Sequence, residues 1–320
     1  MATPPLALVT GGAGFIGSHL VERLLAEGYR VRVFDNFSTG RRTNLAFAKD
    51  NRRLDVRRGD LTNLAAVTRA MKGVDVVFHQ AAMRSVPRSV ADPLGAHASN
   101  VTGTLHLLHA AAGQKKKPRV VYASSSSVYG ERPELPKRED QPTAPISPYA
   151  ATKVAGELYA SVWSRLFDVE TVGLRYFNVF GPRQDPKSEY AAVIPKFILW
   201  GMAGKPLQVH GDGTQSRDFT FIDNVVSANL LAARADARAV AGKSYNVGCG
   251  SRTSLLEIIA MIEVMLGRPL QRRHEPGRMG DVPHTLADVS AAKRDMGYEP
   301  LVTFEEGLRR TVEFFTGRTA

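Results

Sequence analysis

An apolar run from Leu6 to Val9 breaks into Thr10-Gly11-Gly12-Ala13-Gly14-Phe15-Ile16-Gly17 and then into an amphipathic stretch, and few folds accommodate that order. Glycines at 11, 14 and 17 let the chain turn without a Cβ, let the backbone approach a pyrophosphate, and let a helix pack closely on the strand before it. The helix N-terminus adds amides and a partial positive charge. On its own the glycine spacing is a weak signal; a strand before it and a helix after it make it a dinucleotide-binding turn.

The rest of the first half repeats the same alternation. Val31 to Phe34, Val74 to Phe78, Arg119 to Ala123 and Val169 to Arg175 read as strands, and Ile16 to Glu27, Asn63 to Met71, Pro93 to Ala112 and Pro148 to Leu166 as helices. Consecutive βαβ units predict an α/β fold of Rossmann type, a doubly wound parallel sheet. Beyond Phe177 the pattern turns irregular, with Gly-Pro at 181 and 182 and Gly-Asp-Gly at 211 to 213. We expect an NAD-binding domain over 1–176 and a smaller α/β lobe over 177–320. Ile222 to Ala233 and Ser244 to Gly248 read as a helix and a strand that return to the sheet, so segments near 220–248 interleave the two.

Asp35 ends the second strand, where a carboxylate accepts hydrogen bonds from the adenosine ribose and repels a 2′-phosphate. That favours NAD over NADP, although Arg41 and Arg42 stand close enough in sequence to blur the preference. The expected cofactor contacts are Gly11, Gly14, Phe15, Ile16, Gly17, Asp35 and Asn36. Asp60 and Leu61 after the third strand are placed to meet the adenine, and Ala81 and Ala82 after the fourth let the cofactor come close. His79 reads as a satisfied strand-end histidine and receives no role.

Tyr149 and Lys153 stand one helical turn apart, so both project from one face. A phenol titrates near 10, and acting as a base near neutrality needs a shift of roughly 3 units, about 4 kcal/mol. A lysine ammonium and an oxidised nicotinamide are the expected source. The preceding strand ends in Ser124-Ser125-Ser126-Ser127-Val128-Tyr129-Gly130, at the C-terminal edge where ligands bind in this architecture. A hydroxyl there can hold a reacting oxygen while Tyr149 takes its proton.

Composition excludes other classes. The single cysteine among 320 residues, Cys249, allows no intramolecular disulfide, and no Cys/His spacing suits a metal, which points to a reducing cytoplasm. No leader is evident at the N-terminus, and apolar stretches are interrupted by charges such as Glu257 and Glu263, so no membrane span is expected. The formal charge of +11 suits anionic ligands, but the basic residues are scattered. The one run, Lys115 to Lys117, reads as a solvated loop, and no nucleic-acid partner is expected.

At this point the chain resembles the extended short-chain dehydrogenase/reductase family, and within it the UDP-sugar 4-epimerases. The resemblance spans the chain and rests on TGGAGFIGSHL at 10–20, DNFSTG at 35–40, HQAA at 79–82, SSSSVYG at 124–130, YAATK at 149–153, RYFNVFGPRQDP at 175–186, SRDFTFIDN at 216–224 and GRMGDVPHT at 277–285. It implies that Ser125 and Tyr149 contact a C4 hydroxyl and that Lys153 binds the nicotinamide ribose. It further implies that Asn178, Arg217, Arg278 and Asp281 hold the UDP moiety; guanidinium suits bidentate phosphate contact. Transient oxidation at C4 by NAD, rotation of the 4-keto sugar and return of hydride would invert the centre.

Related 4,6-dehydratases carry an Asp-Glu pair where this chain has Ser126 and Ser127, and related decarboxylases a glutamate at Ser127. The hydroxyls leave epimerisation as the implied reaction, with Ser85, Ser126 and Ser127 facing the sugar. Thr285 occupies a position where a tyrosine marks relatives restricted to plain hexoses. With SVPRS at 85–89, it implies acceptance of an N-acetylhexosamine. A glucuronate epimerase is the alternative, since Lys187 could meet a carboxylate, although those relatives tend to have threonine at Asn178. An NAD(P)-dependent reductase or dehydratase of the same fold is a further rival. Relatives often dimerise through helices matching Pro93 to Ala112 and Pro148 to Leu166.

Overall fold

The computed structural model describes residues 4–186, 193–276 and 282–317. Strand β1 (Leu6–Thr10) is buried along its whole length and alternates between two cores, Leu6 and Leu8 facing one, Ala7 and Val9 the other. Burial on both faces is what a central parallel strand requires, and it explains why the sequence there is continuously apolar. The chain continues through α1 (Phe15–Ala26), β2 (Arg30–Asp35), β3 (Leu54–Arg58), α2 (Leu64–Met71) and β4 (Val76–His79). Next come α3 (Val86–Ala91), α4 (Pro93–His97), α5 (Gly103–Ala112), β5 (Arg119–Ser125), α6 (Pro148–Phe167) and β6 (Thr171–Tyr176).

The second half holds β7 (Val179–Phe180), α7 (Val193–Met202), β8 (Leu207–His210), β9 (Ser216–Arg217), β10 (Thr220–Phe221), α8 (Ile222–Arg234), α9 (Ala237–Val240) and β11 (Lys243–Val247). It ends with β12 (Thr253–Ser254), α10 (Leu255–Leu266), β13 (Arg272–Glu275), α11 (Ser290–Met296) and α12 (Phe304–Thr316).

Seven strands make one parallel sheet in the order β11-β6-β5-β4-β1-β2-β3, so the expected doubly wound fold is present. The seventh strand, β11, does return from the later half of the chain to pair with β6. α1 and α8 cover one face of the sheet, and α2, α5 and α6 the other. Fully buried side chains such as Val121, Leu20 and Leu107 each contribute about 1.5–3 kcal/mol of burial free energy. The strand order reverses between β1 and β4, which opens a crevice at their C-terminal ends, where ligands bind in such sheets.

One helix departs from its expected form. Pro93 to Ala112 is α4, a π turn over Ala98–Thr102, and then α5. The wider turn brings Asn100 inward: its Oδ1 accepts from Met83 N at 2.7 Å, and its Nδ2 donates to Met83 O at 3.1 Å and Thr152 Oγ1 at 3.0 Å. A tertiary network therefore sets the local geometry, as is common for π turns near functional sites. α7, α10 and α12 pack against one another near Phe180, Phe219, Phe221 and Phe304, with Phe180 and Phe304 centroids 5.3 Å apart. Lys115 to Lys117 lie exposed before β5, with Lys116 paired to Asp75 and Lys117 to Asp168. Among the described residues no helix is long and apolar enough to cross a membrane, and no His/Cys/Asp/Glu group could hold a metal ion.

Candidate active site

The crevice is a cleft of about 1500 Å³. It is lined by Gly11, Gly14, Phe15, Ile16 and Gly17 from the β1–α1 turn, by Asp35 and Asn36 after β2, by Asp60 and Leu61 after β3, and by Ala81, Ala82 and Ser85 after β4. The glycines are sterically required. Gly11 has φ 67°, and a Cβ on it would stand 2.8 Å from Ala81 Cα; one on Gly17 would stand 2.2 Å from Gly11 O. No side chain caps the start of α1, so its first-turn amides are left for an acceptor in the cleft. Such a cradle fits a dinucleotide pyrophosphate.

Asp35 is buried and its two oxygens accept from Ala13 N at 2.9 Å and Phe37 N at 2.8 Å. Each oxygen keeps further lone pairs, so the same carboxylate can bridge the glycine turn and a ribose. Asn36 Nδ2 donates to Asp60 Oδ2 at 2.7 Å, a contact that holds the Asp60 carboxyl below its ordinary range. Of the two arginines that blur the NAD preference, Arg41 is paired with Asp185 at 2.7 Å and Arg42 lies over the Phe37 ring.

The strand end of β5 and the start of α6 bring Ser125, Tyr149 and Lys153 together. Ser147 caps α6 by accepting from Ala150 N, and Pro148 follows at the first position, where its missing N–H costs nothing. The Tyr149 phenol lies near enough to Ser125 for that hydroxyl to pull its pKa down, and its own backbone N–H donates to Ser89 Oγ at 3.0 Å. Ser127 N and Oγ donate to Ser125 Oγ at 3.2 and 2.9 Å, so the serine turn closes on Ser125, with Ser126 between them. Lys153 Nζ donates to Ala123 O at 2.8 Å and lies 5.7 Å from the Tyr149 ring.

The electrostatics differ from expectation. Burial pushes the Tyr149 phenol above its ordinary value; the groups that pull it back are the Ser125 hydroxyl and the Arg84 charge, and Lys153 is not among them. Burial lowers Lys153 itself to about 8, opposed by Glu157. Arg84 is therefore a site residue the sequence reading missed; it lines the cleft beside Tyr149 in a loop with no periodic signal. His79 is satisfied, between Thr10 Oγ1 at 2.7 Å and Thr104 Oγ1 at 3.0 Å. Ser85 caps α3 through Arg88 N while it lines the cleft.

A second cavity, of about 240 Å³, is lined by Asn178 and Arg217. Arg217 Nη1 donates to Pro283 O at 2.8 Å, which ties β9 to the segment before Thr285. Trp200 and Lys196 on α7 and Gln208 and His210 on β8 also line it, and the sequence reading assigned them nothing. Thr285 N donates to Ser216 O at 3.1 Å, and Asn178 Nδ2 to Thr285 Oγ1 at 3.2 Å. Arg278, Asp281 and Lys187 lie outside the described residues.

The model of the "NAD dependent epimerase/dehydratase family" matches residues 7–248. A UDP-glucose 4-epimerase of Mycolicibacterium smegmatis is 42% identical, over 98% of this chain and 99% of that protein. The structure of a UDP-N-acetylglucosamine 4-epimerase from Methanobrevibacter ruminantium M1, in complex with UDP-N-acetylmuramic acid, superposes with a TM-score of 0.93 at 38% identity, covering 99% of this chain and 100% of that one. That of a UDP-glucuronic acid 4-epimerase from Bacillus cereus, with UDP-glucuronic acid and NAD, gives 0.90 at 33% identity, covering 98% and 100%.

Proposed function

The chain belongs to the NAD dependent epimerase/dehydratase family, and from that membership we propose that it is an NAD-dependent isomerase that inverts C4 of a UDP-sugar. The observation that carries the reading is the meeting of Ser125, Tyr149 and Lys153 at the C-terminal edge of β5, beside a glycine-lined cleft. The cofactor lobe is 1–176 with the returning segments near 220–248, and the lobe over 177–320 takes the UDP. The chemistry supplied by bound NAD is reversible hydride exchange at C4, which takes the sugar through a 4-keto state with no net redox.

The chain's own residues orient and move the proton. Ser125 holds the sugar O4 and Tyr149 takes its proton. The side chains around Tyr149 leave its phenol above the ordinary value, so the base form depends on positive charge arriving in the cleft. Lys153 holds the nicotinamide ribose from the same helix face. Serines at 126 and 127 supply no acid or base for elimination or decarboxylation, which leaves the sugar to rotate and be reduced. Arg217 and Asn178, with Arg278 and Asp281, hold the diphosphate and ribose; Trp200 and Lys196 line the cavity that would take the uracil.

The N-acetylhexosamine pair, or the plain hexose pair, is the preferred substrate, supported by the small Thr285 bonded to Asn178 of the second cavity and by relatives named for each. The enzyme works as a cytoplasmic homodimer, a reading supported by the apolar stripe of Leu158, Val162 and Leu166 on α6 and by Leu94 on α4, which is 82% exposed. The test is NMR of the purified protein incubated separately with UDP-N-acetylglucosamine, UDP-glucose and UDP-glucuronate, without added cofactor. A C4-epimeric anomeric signal from either of the first two supports the reading. Turnover of glucuronate alone replaces the substrate, and no epimer from any of them overturns the reaction.

A further inference from the structure

Beneath Tyr149 and Lys153 lies a buried ion pair that the reaction as described does not use. Glu157 stands one turn beyond Lys153 on α6, and Arg175 on β6 meets it with two bonds, Nε to Oε1 at 3.0 Å and Nη2 to Oε2 at 2.7 Å. The two side chains are only 7% and 11% exposed, Arg175 and Glu157 respectively. Ser124 Oγ donates to the same Oε1 at 2.5 Å. Behind the pair, Arg175 Nη1 donates to the Tyr129 hydroxyl at 2.9 Å, which donates to Asn246 Oδ1 at 2.7 Å. A buried pair of this kind adds little net stability over apolar side chains of similar volume, so stability alone gives no reason for charge here.

We propose that Glu157 is a positioning residue for the epimerase reaction, tying the helix that carries Tyr149 and Lys153 to the strand end that carries Ser125 and placing a counter-charge beneath Lys153. The inference rests on the reading of Tyr149 and Lys153 given above. From one carboxylate Glu157 reaches both strands under α6, β5 through Ser124 and β6 through Arg175, and Ser124 adjoins Ser125. Sliding or rotating α6 against β5 would break one of these bonds. Tyr149, Lys153 and Glu157 also occupy successive turns of a single face, with Lys153 fixed on Ala123 O.

The groups around Lys153 are Tyr149 and Glu157 on its own helix, His79 on β4 and, behind Glu157, Arg175 on β6; Arg84 faces Tyr149 from the loop after β4. Among the described residues, Glu157 is the one anion that acts on Lys153, and it opposes the effect of burial there. The sign follows. Without Glu157 the lysine loses its proton at lower pH, and the reaction that needs it charged fails earlier on the alkaline side.

Two variants of the full-length protein separate this role from mere packing. Glu157→Gln leaves Arg175 unpaired and is expected to lose melting temperature. The double variant Glu157→Met/Arg175→Met removes both charges and is expected to regain it. In both, kcat for UDP-sugar inversion should fall about tenfold or more, and its alkaline limb should move down by about one pH unit. The Lys153 titration, followed by NMR of ε-carbon-13 lysine and assigned with Lys153→Arg, should move down in step. An unmoved Lys153 titration, or a double variant with the wild-type rate and pH profile, overturns the proposal. A shifted Lys153 titration in a protein that inverts no UDP-sugar supports the counter-charge role and indicts the reaction reading instead.

Discussion

Asn178 donates its side-chain amide to Oγ1 of Thr285 at 3.2 Å, and the same nitrogen donates to the backbone oxygen of Asp218 at 2.9 Å. Thr285 is thus bonded to a residue that lines the second cavity, and on the proposed reading its small side chain leaves room for the sugar. Thr285→Tyr is expected to fill that room and to lose activity on N-acetylated sugars selectively, by a factor of about 10². Thr285→Val keeps the shape but removes one of the two acceptors of Asn178 Nδ2, leaving Asp218 O, and KM should rise a few-fold for every UDP-sugar. Steady-state kinetics on UDP-glucose and UDP-N-acetylglucosamine check both. Equal loss on the two sugars by the tyrosine variant would mean that Thr285 does not discriminate between them.

Tyr149→Phe removes one hydroxyl from a side chain whose ring packing is otherwise kept. NAD should remain bound, and turnover should drop by about 10² to 10⁴, the usual worth of a positioned base. Absorbance of the purified variant near 260 and 340 nm reads the cofactor, and NMR reads the turnover. Near-normal turnover would remove Tyr149 from the proton transfer.

What the sequence made legible was what is local. The β1–α1 turn, Asp35 at a strand end and the Tyr149–Lys153 spacing each lie within one or two elements, where periodicity and turn chemistry act directly. The features missed depend on tertiary partners. Glu157 finds Ser124 and Arg175 on two different strands, the π turn at Ala98–Thr102 exists because Asn100 reaches Met83 and Thr152, and Arg84 sits in a loop. The second cavity joins Asn178 and Arg217, which motifs marked, to Lys196 and Trp200 on α7 and Gln208 and His210 on β8, which no sequence pattern links to them.

On α6, Leu158, Val162 and Leu166 are 64%, 42% and 72% exposed and follow one another at four-residue spacing along one face. A homodimer that buries this stripe should persist at micromolar concentration, and Leu158→Glu combined with Leu166→Glu should yield a monomer. Light scattering coupled to size-exclusion chromatography measures both. A wild-type protein that elutes as a monomer would sink the assignment of this face.

His79 carries a stability prediction whose sign the hydrogen bonds fix. Thr104 Oγ1 donates to Asn100 O at 2.6 Å, so it accepts from His79 Nε2, and Nδ1 is left to accept from Thr10. The ring is therefore neutral with its proton on Nε2. Burial, with Lys153 nearby, lowers it to about 3, whereas an unfolded histidine titrates near 6.5. Below that value the unfolded chain takes up a proton that the native chain refuses, and stability falls by about 1.4 kcal/mol per pH unit for this group. His19, lowered to about 4 by burial and Arg183, acts in the same direction. Asp218 acts in the opposite one: burial raises it to about 6, so between about 6 and the unfolded carboxyl value the native state binds the extra proton. Of these three groups the two histidines outweigh the aspartate, and their combined effect is a decline in melting temperature as pH falls from 6.5 to 4.5. His79→Gln should flatten that decline by about one proton's worth, and an unchanged slope would show that His79 is already charged in the native state.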